Sequence, residues 1–235
     1  MQLALDEIVL DRVSTGHRGP TLRFWEWSER ALVLGSHQVL ANEVDCQVAR
    51  DLGFTIGRRM SGGGTMILEP GRSVTYSLVA PDSVVAGLSF VESFALLDAW
   101  AVDCLRELGV PAAYRPVNEI VSPEGKIGGA AQARRRGVVL HHTAIAHAMD
   151  TGIVRRLIRI GRDRVSPRGV RSAEREVSPL ARWLSLDRDE VVARLRGWFV
   201  ARHAAVSDEL SADELAAARS LAARKYATPA WIDRL

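Results

Sequence analysis

Lysine is almost missing from this chain. Of its 31 basic residues only Lys126 and Lys225 are lysines. Arginine supplies the cation nearly everywhere, so a surviving lysine marks a place where a planar guanidinium fork would not serve. Cysteine is also scarce: Cys46 and Cys104 stand apart with no paired spacing. That excludes a disulfide framework or a cysteine-pair zinc site, and it fits a reducing compartment. No apolar run approaches the roughly 18 residues of a membrane span, and no basic stretch followed by an apolar one opens the chain, so the expectation is a cytoplasmic protein without membrane association. A large charge excess is absent too. The net charge of +3 is too small to argue for nucleic acid, although it favours an anionic ligand or an acidic partner. No repeat, low-complexity tract or long linker interrupts the 235 residues, and 1–235 is expected to form a single domain.

What is present reads as a globular protein, 47% hydrophobic and 25% charged. The opening "MQLALDEIVLDRV" leans Leu3, Ile8, Val9 and Val13 to one side, as an amphipathic helix does. "PTLRFWEW" and "ALVLGS" predict strands, "NEVDCQVARDLGF" a short helix ending near Gly53, and "TIGRR" a strand running into glycines. "SVTYSLV" alternates Val74, Tyr76 and Leu78 with Ser73, Thr75 and Ser77, the pattern of a half-buried strand. From Ser89 to Leu108, Phe90, Phe94, Leu97, Ala101, Cys104 and Leu108 fall on one helical stripe that Gly109 and Pro111 end. "PVNEIVSPEGKIGGAAQARRRGVVLHHTAIAHAM" reads as strand, turn, short strand, basic turn and long strand. "TGIVRRLIRIG", "RDEVVARLRGWFV" and "ADELAAARSLAARKY" then predict helices. Strands and hairpins first, with interspersed and trailing helices, indicate an α+β fold and not a strict βαβ repeat.

Two glycine-rich stretches carry chemistry. In "GRRMSGGGTM", Gly62, Gly63 and Gly64 let backbone N–H groups converge on an anion, and Arg58 and Arg59 stand beside them to supply charge. The stretch fits neither the P-loop nor the dinucleotide fingerprint, and a glycine triplet is by itself usually a flexible turn. Its place between two strands, next to paired arginine, favours a ligand site. In "EGKIGGAAQ", Lys126 beside Gly128 and Gly129 could reach a carbonyl or phosphate oxygen as a compact point charge. Most lysines are surface residues; the rarity of lysine here tilts Lys126 toward function. Among the histidines, His141, Thr143, Ile145 and His147 share a strand face and His142 points the other way, with no carboxylate or cysteine spaced to complete a metal site. By position alone His17, His37 and His203 are isolated. Cys104 sits on the apolar stripe, and Cys46 in the first turns of a helix, where a thiol pKa can fall; structural roles are favoured for both. Ala133 to Arg136, "ARRR", is most simply a solvated hairpin tip, and second a dock for an acidic partner.

Together "RRMSGGGTM" and "GKIGGAAQARRRGVVLHHTAIAHAMD" resemble the lipoate–protein ligase family, within the wider biotin/lipoate ligase group. "LVLGSHQVLANEVD", "PVNEI", "RGVRSAEREVSPL" and "ARKYATPAW" extend the resemblance over nearly the whole chain. It implies a central mixed β-sheet flanked by helices, and activation of lipoic or octanoic acid with ATP and Mg²⁺ to an acyl-adenylate. The acyl group would then pass to a lysine of a lipoyl domain, in a 2-oxoacid dehydrogenase or the glycine cleavage H protein. Carried over, Arg58, Arg59, Ser61, Gly62, Gly63, Gly64, Thr65, Met66 and Ile67, with Lys126, Gly128 and Gly129, surround the adenylate. His37, Asn118, Glu119 and His141 become substrate-binding candidates, Lys126 the catalytic residue, and no side chain is assigned to metal. Leu68–Glu69 stands where many members have His–Asp, Ser36 where an arginine is usual, and Glu119 where aspartate is common. The chain stops soon after "KYATPAW", where many ligases continue into a small accessory domain; the expectation is a separate accessory subunit, or use of ready-made adenylate. Octanoyl transfer from acyl carrier protein is the rival reading, but its thioester cysteine would follow the lysine motif, where neither cysteine lies. A non-catalytic lipoate- or lipoyl-domain-binding protein is the other.

Overall fold

The computed structural model describes all 235 residues. Helix α1 (Gln2–Ser14) leads into β1 (Thr21–Trp25) and β2 (Ala31–Leu34), two short helical turns α2 (Leu40–Glu43) and α3 (Cys46–Asp51), then β3 (Thr55–Arg58), β4 (Met66–Leu68) and β5 (Ser73–Pro81). The long α4 (Phe90–Glu107) precedes β6 (Ala113–Arg115), β7 (Glu119–Ser122), β8 (Gly125–Arg135) and β9 (Val138–Ala146). A single turn α5 (Val154–Leu157) and the helices α6 (Arg188–His203), α7 (Ala212–Leu221) and α8 (Pro229–Ile232) complete the chain, with one π-turn at Ala222–Tyr226.

The strands form two sheets. Six run antiparallel in the order β1-β5-β9-β8-β7-β6, and three in the order β3-β2-β4. The parallel pairing that makes the architecture mixed lies in the smaller sheet, between β2 and β3, while β2 and β4 are antiparallel. Helices cover the large sheet on both faces. On one, Val74, Tyr76, Ile120, Ile127 and Ile145 pack with Trp100, Ala101 and Leu105 of α4 and with Val191 and Leu195 of α6. On the other, Val9, Leu10 and Val13 of α1 meet Met60, Val79, Val138 and Leu140. Leu3, Ala4 and Leu5 of the same helix pack with Trp25, Ala31, Val33 and α7, so α1 joins the two sheets. No helix is long and apolar enough to cross a membrane.

Four details depart from the sequence pattern. The serine–threonine face of β5 is buried under α1, because Trp25 Nε1 donates to Ser77 Oγ (2.8 Å) and Thr75 Oγ1 donates to the Trp25 carbonyl. Hydroxyls satisfied this way can be buried at little cost. Residues 151–161 make only a 3₁₀ turn and one α-turn, since the chain beyond Leu157 is tied by its backbone to α2, with Arg159 N donating to Glu43 O at 2.9 Å. Phe90, at the start of the α4 stripe, stands 60% exposed while Phe94 and Leu97 are buried. The strand after the turn at 123–124 is also long, eleven residues, and it carries the lysine motif into the centre of the sheet.

Candidate functional site

The loop joining β3 to β4, the first half of β8, and the segment 170–177 enclose a cavity of about 660 Å³. That is within the usual range for a small-molecule site. Lys126 opens β8 and is fixed by its backbone: its N–H donates to Glu176 O (2.8 Å) and its carbonyl accepts from Ser178 N (2.8 Å). The side chain lies across Gly129, where an added Cβ would come within 2.7 Å of Nζ and 2.9 Å of Cε. Gly128 answers a different need, since a Cβ there would meet the Ala144 carbonyl of β9 at 2.8 Å. Gly125, at φ +141°, leaves room for the Glu176 carbonyl.

Lys126 Nζ is 3.2 Å from Glu119 Oε1, the residue paired with Gly129 across β7 and β8. The same carboxylate accepts from Arg115 Nη2 at 2.6 Å and from Arg175 Nε at 3.0 Å. Three cations thus share one carboxylate, a local excess of +2. Burial pushes the Glu119 carboxyl up, but Lys126, Arg115 and Arg175 outweigh it and hold its pKa below the ordinary value. Burial pushes the Lys126 ammonium down, with Arg175 and Arg115 adding to that and Glu119 opposing it. An anionic group entering beside Lys126 relieves both the desolvation and the repulsion.

Arg59, at the end of β3, shapes the glycine loop. Its Nη2 donates to Gly62 O (2.5 Å) and Gly64 O (2.8 Å), Nη1 to Val33 O (2.9 Å), and Nε to Ser61 Oγ (3.1 Å). No carboxylate faces it, and burial alone pushes its pKa down to about 9, which still leaves a cation at neutral pH. With those carbonyls taken, the N–H groups of Gly62, Gly63 and Gly64 donate to no group of the protein. Gly63 has φ +87°, and its carbonyl lies 2.1 Å from where a Cβ of Gly35 would stand, so the loop closes onto bare backbone. Backbone donors of this kind, over a buried cation, form an anion cradle.

Gly62, Gly63, Gly64, Thr65, Met66, Ile67, Asn118, Glu119, Lys126, Gly128 and Gly129 all line the cavity with Arg59. Four of the expected site residues lie elsewhere. Arg58 points to the other side of the strand, as consecutive residues must; its Nη1 donates to Gly35 O (2.9 Å) and Gln38 O (2.6 Å), and its Nε to Ile232 O (2.8 Å). Ser61 is buried beneath the loop, its Oγ 2.6 Å from His142 Nε2. His37 is exposed, its Nδ1 2.9 Å from Ser36 Oγ and its carbonyl accepting from Val170 N at 2.9 Å. His141 is enclosed behind Gln132, with Nε2 2.7 Å from Asp98 Oδ1, an oxygen that also accepts from Tyr76 and Thr143.

Other residues gain importance from long-range contacts that no local pattern announces. Glu43 Oε2 accepts from Ser172 N (3.0 Å), Ser172 Oγ (2.6 Å) and Gln38 Nε2 (2.7 Å), and Ser172 Oγ in turn accepts from Thr65 N (2.9 Å). Segment 170–177 is thereby latched to the glycine loop. Gln132, the one large polar side chain after Gly128–Ala131, lines the cavity near Phe90 and Phe94 and could have been noticed in "GGAAQ". Neither cysteine lines the cavity. Burial pushes the Cys46 thiol up, and Cys104 up to about 11. Glu69 also lies outside, near Arg30, and no group of three or more His, Cys, Asp or Glu comes together to hold a metal ion.

Residues 1–200 match the family described as the lipoyl protein ligase A/B catalytic domain. The chain belongs to this family. Among its relatives, lipoate-protein ligase A subunit 1 of Thermoplasma acidophilum is 27% identical over 98% of this chain and 90% of its own length. Octanoyltransferase LipM of Kyrpidia tusciae is 32% identical over 73% of this chain and 70% of its own. Both are enzymes. The structure superposes on the T. acidophilum lipoate protein ligase with bound lipoic acid at TM-score 0.82, with 26% identity, covering 100% of this chain and 93% of the other. A lipoate-protein ligase A bound with ATP gives 0.81, 26% identity and coverage of 99% and 93%. A bipartite archaeal ligase, described with its E2 lipoyl domain, gives 0.81, 25% identity and coverage of 99% and 90%.

Proposed function

We propose that these 235 residues act as one catalytic domain that joins lipoate or octanoate to AMP and transfers the acyl group to a lysine of a lipoyl domain. The observation that carries this reading is Lys126, the only lysine of the cavity, lying against Gly129 and sharing its single carboxylate with two arginines. In the first step a substrate carboxylate oxygen attacks the α-phosphorus of ATP and the bond to pyrophosphate breaks. In the second, the acceptor amine attacks the acyl carbon, the bond to AMP breaks, and the amine's proton is lost to water. Glu119 is a poor base, with its carboxyl held down by Lys126, Arg115 and Arg175. Lys126 is the group suited to donate to the acyl carbonyl and the phosphate, where negative charge develops. Arg59 and the free N–H groups of Gly62 to Gly64 suit the phosphate, and Thr65, Met66 and Ile67 the rest of the nucleotide. Asn118 and Glu119 stand on the substrate side. The residues fit a nucleotide in that sense; Mg²⁺ would be held by the phosphates and water, since the chain offers no carboxylate cluster for it.

The acceptors this reading assigns are lipoyl domains of 2-oxoacid dehydrogenases or the glycine cleavage H protein, with the cytoplasm as the compartment and an accessory subunit as a further component. Likeness to LipM motivates a second reading, transfer from an acyl carrier protein thioester, but no cysteine lines the cavity to receive the acyl group. The test is the intact mass of an apo lipoyl domain after incubation with the chain, lipoate and Mg-ATP. The expected result is a gain of one lipoyl group that Lys126→Ala abolishes. No gain with Mg-ATP but a gain with synthetic lipoyl-adenylate assigns activation to a partner. A gain from octanoyl carrier protein alone replaces the ligase reading with the transferase. No gain from any donor leaves a binding protein.

A further inference from the structure

Positive charge is concentrated in one place. Residues 155–176 hold eight arginines against Asp163, Glu174 and Glu176, a net +5, whereas the whole chain carries +3 and the remainder is therefore net negative. Three of the eight have carboxylate partners: Arg155 with Glu174 and Glu176, Arg162 with Asp45, and Arg175 with Glu119. Arg156, Arg159, Arg164, Arg168 and Arg171 form no ion pair.

This is not a loose charged run. Asn42 clamps it, with Oδ1 accepting from Val165 N (2.8 Å) and Ser166 N (2.9 Å) and Nδ2 donating to Ser166 O (2.8 Å). Glu43 holds Ser172, and Gly169 (φ +79°) brings the chain close to the His37 carbonyl. The segment also braces itself: Arg164 Nη2 donates to Arg168 O (2.7 Å) and Gly169 O (2.9 Å), and Arg171 Nη2 to Arg159 O (3.1 Å) and Arg162 O (3.0 Å). Like charges are thus held together on an ordered surface, which costs folding free energy through self-repulsion. The nucleotide does not account for it, because only Arg171 and Arg175 of the eight line the cavity.

We propose that the 155–176 arginine face docks and steers the acceptor protein, whose surface around the target lysine must be acidic. The proposal rests on the function above. The segment that carries the face lines one wall of the cavity the acceptor lysine must enter, through Ile158, Ile160, Val170 and Arg171, and a positive field beside it raises the encounter rate with an acidic partner in a salt-dependent way. Arg156 and Arg168 are the residues with which to test it: both are exposed and their side chains bond to nothing in the protein.

The experiment compares the wild type with Arg156→Glu/Arg168→Glu, measuring lipoate-dependent ATP–pyrophosphate exchange, transfer to an apo E2 lipoyl domain, and direct binding of that domain by anisotropy from 50 to 300 mM NaCl. The expected result is about a tenfold loss of acceptor kcat/KM and affinity in the variant at low salt, a flatter salt dependence, and unchanged exchange. Equal acceptor affinity at every salt concentration overturns the proposal, as does an exchange rate that falls in step with transfer, which would assign the face to the nucleotide. Binding is read without turnover, so salt-dependent binding lost in the variant supports docking even if the chain transfers nothing. In that event only the catalytic reading fails.

Discussion

A Cβ placed on Gly129 would stand 2.7 Å from Nζ of Lys126. Gly129 has no positive φ, so alanine is compatible with its backbone, and the neighbour that must yield is the end of a flexible side chain. Gly129→Ala is therefore expected to keep its melting temperature within about 2 °C and lose adenylation by ~10- to 100-fold, because the ammonium moves by about an ångström. Gly128→Ala should do the opposite first: its Cβ meets the Ala144 carbonyl at 2.8 Å, and the strand pair must spread. Thermal melts together with pyrophosphate exchange separate the two. If Gly129→Ala kept full activity, the placement of Lys126 would not matter as described.

Among the glycines, Gly35 leaves the least room for a side chain. With the Gly63 carbonyl 2.1 Å from a Cβ position, Gly35→Ala cannot be absorbed by a rotamer change, because the obstacle is backbone. Overpacking of this kind costs about 1–3 kcal/mol, and here it falls on the loop that Arg59 organises. The expected outcome is a lower urea midpoint and loss of ATP-dependent activity together. A variant as stable and active as the wild type would show that the glycine loop is not held in this form.

The long helices could be read from sequence because their signals are local: α4 has an apolar stripe and a capping box of Ser89 with Glu92, and α6 has Asp187 with Glu190. Lys126 and the two glycine clusters were legible for the same reason, being rare residues in short motifs. Strand register was not. Which of Arg58 and Arg59 faces the cavity depends on a period-two alternation that the pair alone does not reveal. The polar alternation of β5 suggested solvent because α1 (Gln2–Ser14), which covers it, ends long before β5 begins at Ser73. Glu43 with Ser172, and Asp6 with His142, are joined only by the fold. His37 and His141 carry the converse lesson: a histidine between chemical motifs can belong to a loop or to the core.

Cysteine should be dispensable. Burial raises the Cys46 thiol and raises Cys104 to about 11, so neither is a thiolate at neutral pH, and neither borders the cavity. Cys46→Ala/Cys104→Ala is expected to transfer the acyl group at the wild-type rate, at a stability cost of about 1 kcal/mol from the void at Cys104 in the core. Loss of all transfer in a variant that still folds would return the thioester mechanism to the front.

The hydrogen-bond relay beneath the glycine loop should make the fold acid-sensitive in two stages. Arg59 Nε donates to Ser61 Oγ, Ser61 lies 2.6 Å from His142 Nε2, and His142 Nδ1 is 3.0 Å from Asp6 Oδ2, whose other oxygen accepts from Arg23 at 2.6 Å. With Asp6 as acceptor, a neutral His142 carries its proton on Nδ1, and its Nε2 accepts from the serine hydroxyl. Burial pushes the His142 pKa below the ordinary 6.5, with Arg59 and His141 adding to that and Asp6 opposing it. The unfolded chain therefore takes up this proton at a higher pH than the folded one. The contribution is complete above 6.5 and is lost as pH falls toward the depressed value. For Asp6, burial pushes the carboxyl up, but Arg23, His142 and Ser77 outweigh it and hold the pKa below 3.8, so a second loss follows in the same direction at lower pH. The wild-type melting temperature should fall between pH 7.5 and 5. His142→Gln should melt lower at pH 7.5, by the equivalent of about 1–3 kcal/mol for the disrupted buried contacts, and change less over that interval. Parallel pH profiles for the two proteins would remove His142 as the titrating group.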